Sequence, residues 1–213
     1  MIDNKTPVII IGAGPLGRIA LDIANALDVL VYGFLTDEEE FRSQEINDIL
    51  VVSNLGSKDS NILLSDENVK VVIAEYDIDQ RKHLVAYMKE FKPELISLVH
   101  PTSIISPYAH IGRGNLINSG SIINPNVMMG SFNVLDSRVS LEPDVAIGDY
   151  CTLQAGVCIG KGVQIHDEVQ IGIGAIIYPG VHVGKKATIG AGSIVMRDVA
   201  EEITVFGNPA QEV

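Results

Sequence analysis

From residue 105 onward the chain repeats every six residues. Ile105, Ile111, Ile117, Ile123, Met129, Leu135, Leu141, Ile147, Leu153, Ile159, Ile165, Ile171, Ile177, Val183, Ile189 and Val195 form an aliphatic ladder without insertion. The residue two places before each rung is small or slim, as at Ala109, Ser121, Val139, Val145, Cys151, Val163, Ala175 and Ala187. An amphipathic helix repeats at 3.6 residues and a half-buried strand at 2, so neither holds a strict six. A parallel coil with three flat sides does: the aliphatic points inward and the slim residue packs beside it. Glycine follows the rung at Gly112, Gly130, Gly148, Gly160, Gly172, Gly184 and Gly190. It is expected to turn the corner there through its backbone freedom. The ladder predicts a left-handed parallel β-helix over 100–213, with about five coils of three hexapeptides each.

Residues 1–99 follow another rhythm. Short apolar runs at Val8–Ile11, Val29–Leu35, Ile49–Val52 and Val69–Ala74 alternate with helical stretches. One helix follows the Gly12-Ala13-Gly14-Pro15-Leu16-Gly17 turn and ends near Leu27; another is expected over Asp79–Phe91, ended by Pro93. Strands alternating with helices predict a small Rossmann-like parallel α/β sheet.

Charge narrows the partners. There are 15 Lys+Arg against 27 Asp+Glu, a formal net charge of −12, and that field repels nucleic acid. Cys151 and Cys158 are too few for a disulfide framework or a zinc site, so reduced thiols and no metal are expected. No apolar run reaches the length of a membrane span. The start, MIDNKTPVIIIGAG, lacks a basic leader region, which points to the cytoplasm.

Several motifs invite chemistry. Gly12-Ala13-Gly14-Pro15-Leu16-Gly17 satisfies G-x-G-x-x-G between a strand and a helix. A dinucleotide would need an acidic residue ending the second strand, where the chain has Val31-Tyr32-Gly33-Phe34 with Asp37 beyond. A phosphate at the helix N-terminus and a ligand-free tight turn both remain open. His166-Asp167 is read as a solvated turn at a different corner from Pro143. His110 and His182 share a column but lie ~19 Å apart at ~4.8 Å per layer, too far for one site. Lys161 stacks one coil from Pro143, within reach of Asp144. It would act as a base only if desolvated, and otherwise forms a surface ion pair.

The glycine-turn α/β region, "HPTSIISPYAHIGRG", the coils and the closing "VFGNPA" together resemble the hexapeptide-repeat sugar acyltransferases of the sialic-acid O-acetyltransferase and PglD group. The resemblance spans nearly the whole chain. It implies a homotrimer, a nucleotide-linked amino sugar held by the N-terminal domain, and acetyl-CoA lying along the β-helix between subunits. It also implies a histidine base with an acidic neighbour. In this chain that position holds Pro143, followed by the acidic Asp144. The resemblance puts cofactor contacts at Thr152 (in place of a second histidine), Ile173, Lys185, Lys186 and Ala191. Substrate contacts fall on Gly12, Gly14, Pro15, Leu16, Thr36 and Asp37, with Leu16 in place of a histidine. The "AIGN" loop becomes Ala74-Glu75-Tyr76-Asp77, and the basic residue after the closing Pro-Ala becomes Gln211.

The resulting expectation is an acyl-CoA-dependent transferase, using acetyl-CoA on an amino sugar or nucleotide-linked sugar. Asp144, Lys161, the substrate or solvent would stand in for histidine. An amine that is already neutral needs less base help than a hydroxyl, which favours N-acylation. A catalytically silent trimer with a binding or assembly role is the alternative, and an NAD-binding protein is more distant.

Overall fold

The computed structural model describes residues 6–41 and 44–213; the first five residues of the leader region considered above lie outside them. The chain divides into two compact units, Met1–His100 and Pro101–Val213.

The first unit contains β1 (Val8–Ile11), α1 (Pro15–Ala26), β2 (Val31–Thr36), β3 (Glu45–Ile46), β4 (Ile49–Asn54), α2 (Lys58–Leu64), β5 (Lys70–Ile73), α3 (Ile78–Met88) and β6 (Glu94–Leu95). Its sheet runs β3-β4-β2-β1-β5-β6. All pairings are parallel except the β3–β4 hairpin. Every residue of β1 is fully buried, as expected of a central parallel strand covered on both faces. β1 pairs β2 on one side and β5 on the other, so the strand order reverses beside its carboxyl end.

Several boundaries and elements differ from the sequence expectation. The second strand starts at Val31, because the Val29 N–H donates to Ala24 O (2.9 Å) and keeps that residue in the turn closing α1. The third helix ends at Met88, before Pro93 can act: Lys92 takes a positive φ of 56° and its N–H donates to Met88 O. The hairpin and α2 were not anticipated. Asn47 and Asp48 carry two successive positive φ angles at the hairpin turn, and the Ser57 hydroxyl caps α2 by accepting from Ser60 N–H.

The second unit is a left-handed parallel β-helix. Its first face stacks Leu116–Ile117, Val134–Leu135, Thr152–Leu153, Gln170–Ile171, Thr188–Ile189 and Thr204–Gly207. The second stacks Ile104–Ile105, Ile122–Ile123, Ser140–Leu141, Cys158–Ile159, Ile176–Ile177 and Ile194–Val195. The third stacks His110–Ile111, Met128–Met129, Ala146–Ile147, Gln164–Ile165 and His182–Val183. Partners are 18 residues apart throughout these three stacks except at the Thr204 strand. The predicted rungs point inward and are buried from Ile117 to Val195, with Ile105 and Ile111 half-buried at the first coil.

The role assigned to the glycines needs correction. Those that directly follow a rung do not adopt the left-handed backbone. They lie where the next coil passes too close for a side chain: a Cβ on Gly172 would come within 2.6 Å of Ala191 N, and one on Gly160 within 2.6 Å of Pro179 N. Left-handed φ falls two residues later, at every sixth position from Gly114 to Gly192. Asn126, Phe132, Arg138, Asp144, Tyr150, Glu168 and Lys186 adopt it as well as seven glycines.

Two substitutions separate room from backbone freedom. Gly172→Ala should cost more than about 2 kcal/mol, because backbone blocks its Cβ. Gly174→Asn, with open space around it at φ +67°, should cost under about 1 kcal/mol, since asparagine tolerates that conformation. Thermal unfolding of both variants checks the order.

Candidate functional site

In the first unit a cavity of ≈ 380 Å³ is lined by Ile11, Gly12, Thr36, Asp37, Glu38, Leu55, Glu75, Asp79, Gln80, His83 and Leu84. It lies at the carboxyl ends of β1, β2 and β5, beside the point where strand order reverses, the usual ligand position in an open α/β sheet. Gly12 (φ +103°) lets the chain turn against Ala74 O, and Gly17 lets α1 close onto Gly12 O, contacts that any Cβ would block. Buried Arg81 donates to Glu75 O (2.6 Å) and Tyr76 O (3.1 Å), fixing the wall above β5. Asp77 caps α3 by accepting from Gln80 N–H (2.8 Å).

Of the six residues expected on the substrate side, Gly12, Thr36 and Asp37 line this cavity. Gly14 forms the N-cap of α1 and Pro15 is exposed at its first turn. Leu16 is only 2% exposed and belongs to the α1 core, so it does not line the cavity. Glu38, Asp79, Gln80 and His83 were not anticipated, whereas Glu75 belongs to the Ala74-Glu75-Tyr76-Asp77 segment that the resemblance matched to a family loop. The run Asp37-Glu38 after β2 was the available signal for Glu38. The Glu38 carboxyl is held above its ordinary range, first by partial burial, then by the charges of Glu75 and Glu40.

In the second unit, Pro143 has a structural explanation. Pro107, Pro125, Pro143, Lys161 and Pro179 follow one another at intervals of 18, at the same corner. At Pro125, Pro143, Lys161 and Pro179 the next residue has positive φ: Asn126 (61°), Asp144 (64°), Gly162 (68°) and Gly180 (74°). Proline followed by a left-handed residue is the type II turn arrangement, in which the position taken by proline needs no N–H donor.

Asp144 Oδ1 accepts from Asn126 Nδ2 (3.0 Å), and Oδ2 lies 3.7 Å from Lys161 Nζ. The Lys161 side chain is 69% exposed. It therefore has the surface ion pair and lacks the desolvation that a lysine base requires.

The cofactor-side candidates divide. Thr152 is buried at 5% exposure. With Gln154, Gln170, Gly172 and Thr188 it lines a groove of ≈ 200 Å³ on the first face. Ile173 and Ala191 are exposed at the next corner, 18 residues apart; Ile173 N–H donates to Gln154 Oε1 (3.1 Å). Lys185 pairs with Glu168 (3.4 Å), and Lys186 with Glu202 (3.8 Å). Each would have to exchange a carboxylate for a phosphate.

The third face carries a groove of ≈ 390 Å³ over Met128, Ala146 and Gln164, with His166 among its lining residues. Asp167 makes no dyad with His166 among the observed contacts, and its Oδ1 accepts from Asp149 N–H (2.9 Å). A carboxylate–histidine pair does occur one coil on: Asp198 Oδ1 accepts from His182 N–H (2.8 Å), and Oδ2 lies 3.5 Å from Nδ1. The six-residue ladder gave no hint of it, because Asp198 lies beyond the last rung. Among the described residues no group of three or more His, Cys, Asp or Glu could hold a metal ion, and no helix is long and apolar enough to cross a membrane.

Comparison with known proteins bears on this geometry. The family model described as bacterial transferase hexapeptide (six repeats) matches residues 162–197. No curated protein matches the chain. Among solved structures, the chain is similar to a mutant of perosamine N-acetyltransferase from Caulobacter crescentus in complex with CoA and GDP-perosamine. The TM-score is 0.89 at 24% identity, over 97% of this chain and 96% of that one. It is also similar to the acetyltransferase domain of PglB from Neisseria gonorrhoeae, with TM-score 0.88 at 23% identity over 98% and 100% of the two chains. The same domain in complex with acetyl coenzyme A gives 0.88 at 21% identity, over 98% and 99%. At these identities the likeness establishes the fold along nearly the full length.

The Asp198 carboxyl is held below the ordinary aspartate range, first by the His182 backbone N–H and, among lesser causes, by its ring. A depressed folded value means that the stabilisation is complete above the ordinary carboxylate range and is lost as pH falls through the lowered value. His182→Gln keeps the backbone donor, so NMR titration of Asp198 in that variant should still give a midpoint below that of an ordinary aspartate.

Proposed function

We propose that the protein is an acyl-CoA-dependent N-acyltransferase that uses acetyl-CoA to acylate an amino sugar or nucleotide-linked sugar. The observation that carries this reading is the groove at Thr152 on the first face of the coil. It sits in a fold shared along almost the whole chain with structures that contain CoA or acetyl coenzyme A. The cavity at the strand-order reversal of the first unit supplies an acceptor side.

In the reaction the neutral amine attacks the thioester carbonyl carbon, and a tetrahedral oxyanion forms. The C–S bond then breaks, giving an amide and CoA thiolate; the amine proton leaves to a base, and the thiolate takes up a proton. Backbone N–H groups suit the oxyanion. Pro143 has no titratable atom. Of the candidates nearby, Asp144 retains a carboxylate at the same corner, engaged by Asn126 and Lys161. Proton removal from a pre-neutralised amine by Asp144 or solvent is the chemistry this corner supports, and it suits N-acylation better than O-acylation.

Pro143 also favours a second reading, a trimer that keeps the scaffold without turnover. Calorimetry with acetyl-CoA separates the two: the transferase requires binding, and the silent trimer gives none. In a thioester-release assay over amino sugars, the wild-type rate should rise with pH as the acceptor amine loses its proton, without an inflection near ~6.5 from a histidine. Pro143→His, beside Asp144, should raise turnover by ~10²–10⁴-fold. Loss of the preset turn should cost it no more than about 1 kcal/mol of stability. A histidine-like profile abolished by His166→Ala would move the catalytic position to the third-face groove.

Assembly is part of the proposal. Ile104, Ile122 and Ile176 are exposed on the second face and Met128 on the third, and a C3 homotrimer would cover such surface. Light scattering should give about 69 kDa for three chains of 22.9 kDa; a monomer at micromolar concentration contradicts it.

A further inference from the structure

The cavity of the first unit has a feature that a pocket for a nucleoside diphosphate would lack. In a strand–turn–helix of this kind the second glycine lets the pyrophosphate approach the helix N-terminus, where unpaired N–H groups and the helix dipole favour an anion. Here Gly14 is that glycine and the N-cap of α1, and no side chain caps the helix there. A Cβ built on Gly14 would lie 4.0 Å from Glu38 Oε1. The same oxygen faces the hydroxyl of Thr36 at 3.4 Å, and that hydroxyl accepts from Glu38 N–H at 3.2 Å. Thr36 is itself only 2% exposed. A carboxylate of the chain is thus brought to the place that a ligand phosphate would take.

The remaining lining strengthens the contrast. Asp37, Glu75 and Asp79 add carboxylates, and among the described residues the lining holds His83 but no lysine or arginine. A diphosphate entering here meets like charge on several sides. An amine, or a nucleoside or sugar hydroxyl face, meets acceptors instead.

We infer that Glu38 is the specificity-determining residue of this cavity, filling the anion position at the start of α1 so that the cavity selects a ligand portion that is neutral or cationic. The inference rests on reading the first unit as the acceptor side, and it narrows that acceptor. An amino sugar or nucleoside portion fits the cavity, and any phosphates it carries must lie away from α1.

Calorimetry at pH 8 and low salt tests this with uridine, guanosine, UDP and GDP as probes on the full chain. Glu38→Gln removes the charge at nearly constant shape and should raise the affinity for UDP or GDP at least tenfold, leaving the parent nucleosides within about threefold. Glu38→Ala should give the same gain, which guards against a folding defect in one variant. Glu40→Gln, whose side chain does not line the cavity, should leave the ratio unchanged. A diphosphate gain below tenfold in both Glu38 variants, or an equal gain for the nucleosides, overturns the inference. Acyl transfer is not measured in this experiment, so a failure of the transferase reading would show in the thioester assay and leave this result standing.

Discussion

Every coil of the second unit must turn three corners, and at each the backbone enters the left-handed region that costs most residues about 1 kcal/mol or more. What holds it there is a hydrogen bond along the coil axis. The N–H of the left-handed residue donates to a carbonyl 19 residues earlier: Asp144 to Pro125, Tyr150 to Ser131, Gly162 to Pro143, Glu168 to Asp149, and Lys186 to Asp167. A corner turned any other way would leave that donor without the carbonyl above it. The strict period of six follows, since one extra residue would shift both the rung and the donor. The glycines after the rungs serve the same stacking by letting coils approach where side chains would block them.

This constraint explains what could be read from the amino acids and what could not. The inward rungs were legible because burial selects aliphatic side chains at every one of them. The left-handed corners were not, because half of them are filled by residues such as Phe132, Arg138 and Tyr150 that carry no general signature of positive φ. Stacking compensates for the choice in part: the Phe132 and Tyr150 rings, one coil apart, lie with centroids 5.2 Å apart and nearly parallel. In the first unit, β1 and α1 were readable from an unbroken apolar run and a glycine turn. The β3–β4 hairpin and α2 depend on the short-range chemistry of Asn47-Asp48 and Ser57, which apolar periodicity does not register.

The candidate site divides along the same line. Positions tied to a column, such as Pro143, Asp144, Lys161 and Thr152, could be placed by counting in steps of 18, and the predicted approach of Lys161 to Asp144 is present. Counting could not show that the ion pair is exposed, or that Lys185 and Lys186 face carboxylates of their own chain. Residues outside any column were missed or misplaced. Glu38 and Asp198 project from irregular segments, and Leu16 turned into the core because α1 needs an apolar residue there.

The proline at position 143 links scaffold and chemistry. Its corner needs a residue with φ near −65° before a left-handed one, and proline supplies that in advance at Pro125 and Pro179 as well. A histidine there would be tolerated by the turn, so the geometry does not exclude a base at this corner; the chain has instead repeated the residue best suited to the turn. Lys161 in the same column shows that a polar side chain can occupy the position and point to solvent. Any catalysis at this corner then depends on the acceptor arriving with its amine already neutral.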